Sequence, residues 1–147
     1  TTGADGGVTT LTVSGNYSAH PCWCGKSYSM SVQLSPQYVR DEQSRVIDGV
    51  LKLKKMGVHY KNTGQFSVTV SSRGSEARTY RFDSKKIGTY TLGSIAISDE
   101  DLFECPILGD ARTTEITISD STPFPVYLVK GEFRGMFTPG RYDPSKR

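Results

Sequence analysis

The sequence predicts an all-β domain, an antiparallel β-sandwich or barrel of about eight short strands with little or no helix. Three observations carry that prediction. Apolar residues alternate with polar ones in short runs, the period of a half-buried strand. Turn formers, among them 15 glycines and 7 prolines, punctuate the chain at intervals of roughly ten residues. No window places apolar residues at helical spacing.

The elements follow in order. Residues 1–7 are small and polar with three glycines, so 1–10 is expected to be a flexible leader. Leu11 and Val13 alternate with Thr12 and Ser14 as a first short strand. Tyr28, Met30, Val32 and Leu34 alternate with serines and Gln33, a half-buried strand that Pro36 closes. Arg40 to Arg45 is wholly polar and reads as a loop.

Leu51 and Leu53 face one way, whereas Met56, Val58 and Tyr60 continue with the opposite parity. A slip of one residue near Lys54-Lys55 is the mark of a β-bulge. Lys61-Asn62-Thr63-Gly64 reads as a hairpin turn, with Phe66, Val68 and Val70 returning as the partner strand. Ser71 to Glu76 is a loop around Gly74, and Tyr80 and Phe82 mark another strand. Lys85 to Gly88 reads as a turn. Tyr90, Leu92, Ile95 and Ile97 form strand material broken at Gly93. Asp99-Glu100-Asp101 reads as an acidic loop. Phe103, Cys105 and Ile107 alternate next, then Ile116 and Ile118 against a Glu115, Thr117, Ser119 outer face. Pro123 and Pro125 bracket Phe124. The last strands run through Tyr127, Val129, Gly131, Phe133 and Gly135 to Met136 and Phe137, and 143–147 is a polar tail.

A chain of 147 residues fits one domain and buries roughly two-thirds of its unfolded surface. It therefore needs no disulfide or metal on grounds of size. No apolar run approaches the ~20 residues of a membrane-spanning helix. The start, Thr1-Thr2-Gly3-Ala4-Asp5, lacks an initiator Met and a signal-peptide pattern, as expected of a processed product or a piece of a longer chain. The net charge is +3, with both signs scattered. The densest basic run is Lys52, Lys54 and Lys55, with Lys61 beyond. On a strand Lys52 and Lys54 share an outward, solvated face, and no stripe of the nucleic-acid-binding kind appears.

Candidate chemistry is sparse. The three cysteines, Cys22, Cys24 and Cys105, are odd in number and badly spaced for a bridge, so reduced thiols are expected. His20-Pro21-Cys22-Trp23-Cys24 has zinc-ligand residue types without two well-spaced pairs. His59, between Val58 and Tyr60, reads as a solvated strand residue. Asp99, Glu100, Asp101 and Glu104 supply carboxylates for Ca²⁺ or for glycosidic cleavage, but one cluster in sequence specifies neither. Most of the eight tyrosines fall on inward positions and are expected in the core. No nucleophile elbow, phosphate loop or dinucleotide fingerprint is present. The expectation is a domain with no catalytic, cofactor-binding or metal-binding residues.

One ordered series of segments is less generic. Gly49-Val50-Leu51-Lys52-Leu53-Lys54-Lys55-Met56 precedes Tyr60-Lys61-Asn62-Thr63-Gly64-Gln65-Phe66-Ser67-Val68-Thr69-Val70. Tyr80-Arg81-Phe82, Leu92-Gly93-Ser94 and Phe103-Glu104-Cys105-Pro106-Ile107 follow. After them come Ile116-Thr117-Ile118 with Asp120 to Pro125, and Gly131-Glu132-Phe133-Arg134-Gly135-Met136-Phe137. Upstream lies Tyr28 to Arg40, with its Ser35-Pro36 and Tyr38. Over residues 11–142 this series resembles the C-terminal region of the tail nozzle protein of short-tailed phages, the tail tubular protein B family. Phe133 stands where that family is expected to carry Trp, and Cys22-Trp23-Cys24 has no counterpart in the expected pattern.

The resemblance implies a non-enzymatic virion tail subunit, with 11–142 a single β domain forming the C-terminal part of a longer tail protein. It implies a homo-hexamer that joins the tail adaptor ring and fibres and passes viral DNA without reading its sequence, with no cofactor. The rival readings are a domain that binds or cleaves host surface glycan and an immunoglobulin-like decoration domain.

Overall fold

The computed structural model describes residues 28–84 and 96–140. These form seven strands: β1 (Met30–Leu34), β2 (Gly49–Thr63), β3 (Gln65–Ser72), β4 (Arg78–Asp83), β5 (Ser98–Asp110), β6 (Thr114–Asp120) and β7 (Leu128–Pro139). No helix occurs among the described residues. The strands build two antiparallel sheets, one ordered β1-β6-β3-β4 and the other β5-β2-β7. The fold is thus a sandwich, as expected, although β2, β5 and β7 are long at 15, 13 and 12 residues. The leader, the Leu11 strand, Lys85 to Ile95 and the 143–147 tail lie outside the described residues.

Alternation explains the core. Leu53, Met56, Val58 and Tyr60 point inward from β2, and Cys105 and Ile107 from β5. Phe66, Val68, Val70, Ile116 and Ile118 meet them from the other sheet. Four rings lock the sheets together at one end. Tyr60 and Phe82 lie 4.4 Å apart, Phe66 and Phe82 5.0 Å, and Phe66 and Phe103 5.5 Å edge to face. Such pairs add about 0.5–1.5 kcal/mol each beyond the area they bury.

The bulge is where the parity change puts it. Both partners of β2 skip Lys54, so Leu53 and Met56 both reach the core. A second irregularity, between His59 and Tyr60, leaves Val129 of β7 unpaired and exposed. Sequence alternation alone puts Val129 inside, and the extra residue turns it out.

The hairpin expected at Lys61 to Gly64 is absent. β2 pairs with β5 and β7, whereas β3 pairs with β4 and β6. The chain changes sheets at this point, and the inward residues of β2 and β3 face each other across the core. Alternation cannot separate strands that are neighbours from strands that are opposed. Among the described strands, the only consecutive pair that shares a sheet is β3 and β4, turning through the Gly74 loop.

The corner has its own chemistry. Thr63 is fully buried. Its Oγ1 donates to Lys61 O (3.0 Å) and accepts from Tyr127 N (3.0 Å). Lys61 N donates to Tyr127 O, and Gly64 N to Pro125 O, each at 3.0 Å. A Cβ on Gly64 would lie 2.6 Å from Phe124 Cβ, so this glycine serves close approach and not a positive φ. Asp120 Oδ2 starts the clamping segment by accepting from Thr122 N and Oγ1.

Other expectations are corrected. Asp99-Glu100-Asp101 is not a loop but the start of β5, where Glu100 stands opposite Lys61 and the opposite charges favour pairing. Among the described tyrosines, Tyr60 lies in the core and Tyr80 at its margin, whereas Tyr28, Tyr38 and Tyr127 are exposed and flank the strands; Tyr17, Tyr90 and Tyr142 lie outside the described residues.

Thr63→Val keeps the side chain's shape but strands the Tyr127 N–H. Urea unfolding should show a loss of about 1–3 kcal/mol, largely absent in Thr63→Ser. Gly64→Ala should cost about 1–3 kcal/mol through overpacking, and Phe124→Gly in the same chain, which removes the clashing Cβ, should relieve part of it.

Candidate functional site

The outer face of the β5-β2-β7 sheet carries the densest array of charge partners among the described residues. After the Lys54 bulge, Lys55, Gly57, His59 and Lys61 of β2 alternate outward, because Met56, Val58 and Tyr60 are inside. Register places Glu104 of β5 and Glu132 of β7 on either side of Gly57. The gap left by Gly57 is filled by Leu102, whose Cδ1 lies 2.8 Å from where a Cβ would sit. A larger residue at 57 would push Leu102 aside.

Each carboxylate holds basic side chains. Lys55 Nζ lies 2.7 Å from Glu104 Oε1, and Arg134 Nη1 4.0 Å from the same oxygen. Lys130 Nζ lies 2.6 Å from Glu132 Oε1, and His59 Nε2 3.0 Å from it. The Lys55 hydrogen bond holds the Glu104 carboxyl below its ordinary 4.5, helped by the Lys55 and Arg134 charges. The hydrogen bond from Lys130 does the same for Glu132, with His59 adding to it. His59 therefore departs from the expectation of a solvated side chain. Its Nε2 is closed to solvent and lies 3.0 Å from Glu132 Oε1.

Toward the far end of the sheet, Lys52, Lys54, Leu108, Asp110 and Met136 rim a shallow hollow of about 370 Å³. Lys52 and Lys54 are exposed as expected. Leu108 protrudes with φ 55°, a conformation costly for a leucine, and is 67% exposed.

The acidic residues do not converge. Strand alternation sends Glu100, Leu102 and Glu104 to the outer face and Asp101 and Phe103 to the other. Asp101 instead accepts from Leu102 N at 2.8 Å. A glycosidase pair must face one substrate, and Asp101 and Glu104 do not share a face. Among the described residues no three His, Cys, Asp or Glu side chains gather as a metal site. Cys105 is buried and free, and burial pushes its thiol up to about 11. His20, Cys22 and Cys24 lie outside the described residues.

The sequence model of the bacteriophage nozzle protein family matches residues 1–143. The chain belongs to that family. No curated protein matches it. A nozzle protein is a component of the virion tail, so a charge-paired β surface is placed here in a structural part. The sequence singles out Lys55 and Glu104 separately and shows Glu132 and Arg134 only within the Gly131–Phe137 segment, with no charge role for Lys130, Glu132 or Arg134. The period-two spacing of those three already puts them on one face of a strand, but only the pairing of β7 with β2 brings them to His59 and Lys55.

Because both carboxyls titrate below 4.5, the stability they confer is complete above that value and is lost as pH falls through their lowered values. Glu104→Gln and Glu132→Gln should each lower Tm slightly at neutral pH and low salt. The difference should close in acid and in high salt. Cys105 should resist alkylation at neutral pH until the domain unfolds, as read by peptide mass with increasing urea.

Proposed function

We propose that this domain forms a wall segment of the nozzle of a short-tailed phage, with copies packed side by side in a homo-hexameric ring that closes the tail and conducts DNA during ejection. Membership of the nozzle family supports the structural part of this reading. The observation that carries the conduit part is the charge-paired outer face. Lys55 and Arg134 are answered by Glu104, and Lys130 by Glu132. A wall along which DNA must slide is served by cations already neutralised, since free ones bind phosphate by releasing counterions. Side-by-side copies form a heterologous interface that closes into a ring. The same reading gives the domain an adaptor ring and fibres as neighbours within the tail, and makes it the C-terminal part of a longer protein.

An electron-microscopy map of the tail tests the ring directly; a position outside the nozzle wall overturns the reading. Mixed-sequence duplex DNA should bind the domain weakly at physiological salt. The double variant Glu104→Gln/Glu132→Gln frees Lys55, Lys130 and Arg134. It should bind more tightly at low salt, with a log–log salt slope steeper by up to about 3. Tight, steeply salt-dependent binding by the unaltered domain would count against a conduit surface.

A further inference from the structure

The break in the ladder at Lys54 leaves a leucine in an unusual place. Where β2 spends one residue, Lys54, between Leu53 and Lys55, β5 spends two, Ile107 and Leu108. Ile107 turns into the core, whereas Leu108 turns out of it at φ 55° and is 67% exposed. A left-handed residue in a β-bulge is normally glycine, which takes a positive φ with no side chain to clash. The Leu108 side chain joins no part of the core, so the fold gains nothing for this strain. Strain held beside exposed apolar surface marks a contact with something outside the chain. Met136, opposite Lys52 on the other flank of β2, is 55% exposed, and the hollow between it and Leu108 is lined by Lys52 and Lys54. Neither lysine has an ion-pair partner among the described residues. Asp110, on the same rim, already accepts from Arg112 N at 2.8 Å.

The other end of the same sheet has the opposite sign. Back along β5, roughly 30 Å away at the rise of a strand, Asp99, Glu100 and Asp101 are all exposed. Ile97 and Tyr127 stand exposed at that end too. Lys61 faces Glu100 across the ladder, which leaves Asp99 and Asp101 in excess. One chain thus carries an apolar patch edged by lysines at one end of a sheet and an apolar patch edged by carboxylates at the other. Two like ends repel, whereas two unlike ends attract and bury apolar surface together. We propose that the end bearing Leu108 and Met136 docks on the end of a second copy that bears Ile97 and Asp99. The contact is head to tail, the heterologous kind that closes a ring when the rotation allows it. Its place in such a ring rests on the function proposed above. Both patches lie at the ends of the sheet, so the contact leaves clear the paired charges astride Gly57 between them.

Sedimentation velocity of the full chain over a range of concentrations at low salt tests this. Self-association should grow with concentration and weaken as salt screens the two ends. Leu108→Gly should weaken it by about ten-fold or more, yet leave Tm equal or higher, because glycine relieves the backbone. Lys52→Glu/Lys54→Glu and Asp99→Lys/Glu100→Lys should each abolish association. Mixing the two variant chains should restore it, because every end then meets one of opposite sign. Association indifferent to Leu108→Gly, or reversed chains of native Tm that fail to complement each other, overturns the proposal. A chain that stays monomeric throughout also overturns it, and binding of that monomer to anionic vesicles through Leu108 assigns the patch to a lipid surface. Head-to-tail association by a chain that a tail map places outside the nozzle wall removes the ring and keeps the contact. A chain within the wall whose association ignores Leu108 does the reverse.

Discussion

At Thr63 a single buried hydroxyl meets backbone groups from two parts of the chain, Lys61 O on one side and the Tyr127 peptide on the other. The rest of the sandwich depends on that junction. β2 must end there for β3 to start in the opposite sheet, and the buried peptide groups of such a corner have no ladder to pair with. The Thr122–Tyr127 segment supplies the partners, and it is also the connection that carries the chain from β6 to β7. One set of hydrogen bonds thus fixes two sheet changes at once. Above it sit Tyr60, Phe66, Phe82 and Phe103, whose mutual contacts set the distance between the sheets at that end.

Much of this was readable from the residues alone. The inward sets of β5 and β6 follow from strict alternation, and the bulge at Lys54 from a change of parity between Leu53 and Met56. Connectivity was not readable. Lys61-Asn62-Thr63-Gly64 has the composition of a tight turn, but a turn within a sheet and a corner between sheets use the same residue types. The partner that decides between them, Tyr127, is 64 residues away. The acidic start of β5 was missed for a related reason: its strand character comes from Lys61 across the ladder and not from its own propensities.

The charged face shows the same division. Each strand's outward residues can be named in isolation, yet their meaning lies in the register that sets Glu104 and Glu132 astride Gly57. Exposed ion pairs contribute little to stability singly. Here Glu104 and Glu132 answer Lys55, Arg134 and Lys130 across and along the strands. On the reading proposed above, a wall along which DNA slides has use for cations already answered by carboxylates, and such a surface requires no pocket, cofactor or nucleophile.

The bulge at Lys54 has a mechanical consequence. β2 is held by ladders along both sides, so a pull along its length loads many hydrogen bonds in shear instead of peeling them one by one. Both ladders are interrupted at the same residue. Tension along the sheet is thereby divided between two shorter blocks, and the seam between them is the place where the sheet can bend before either block slips.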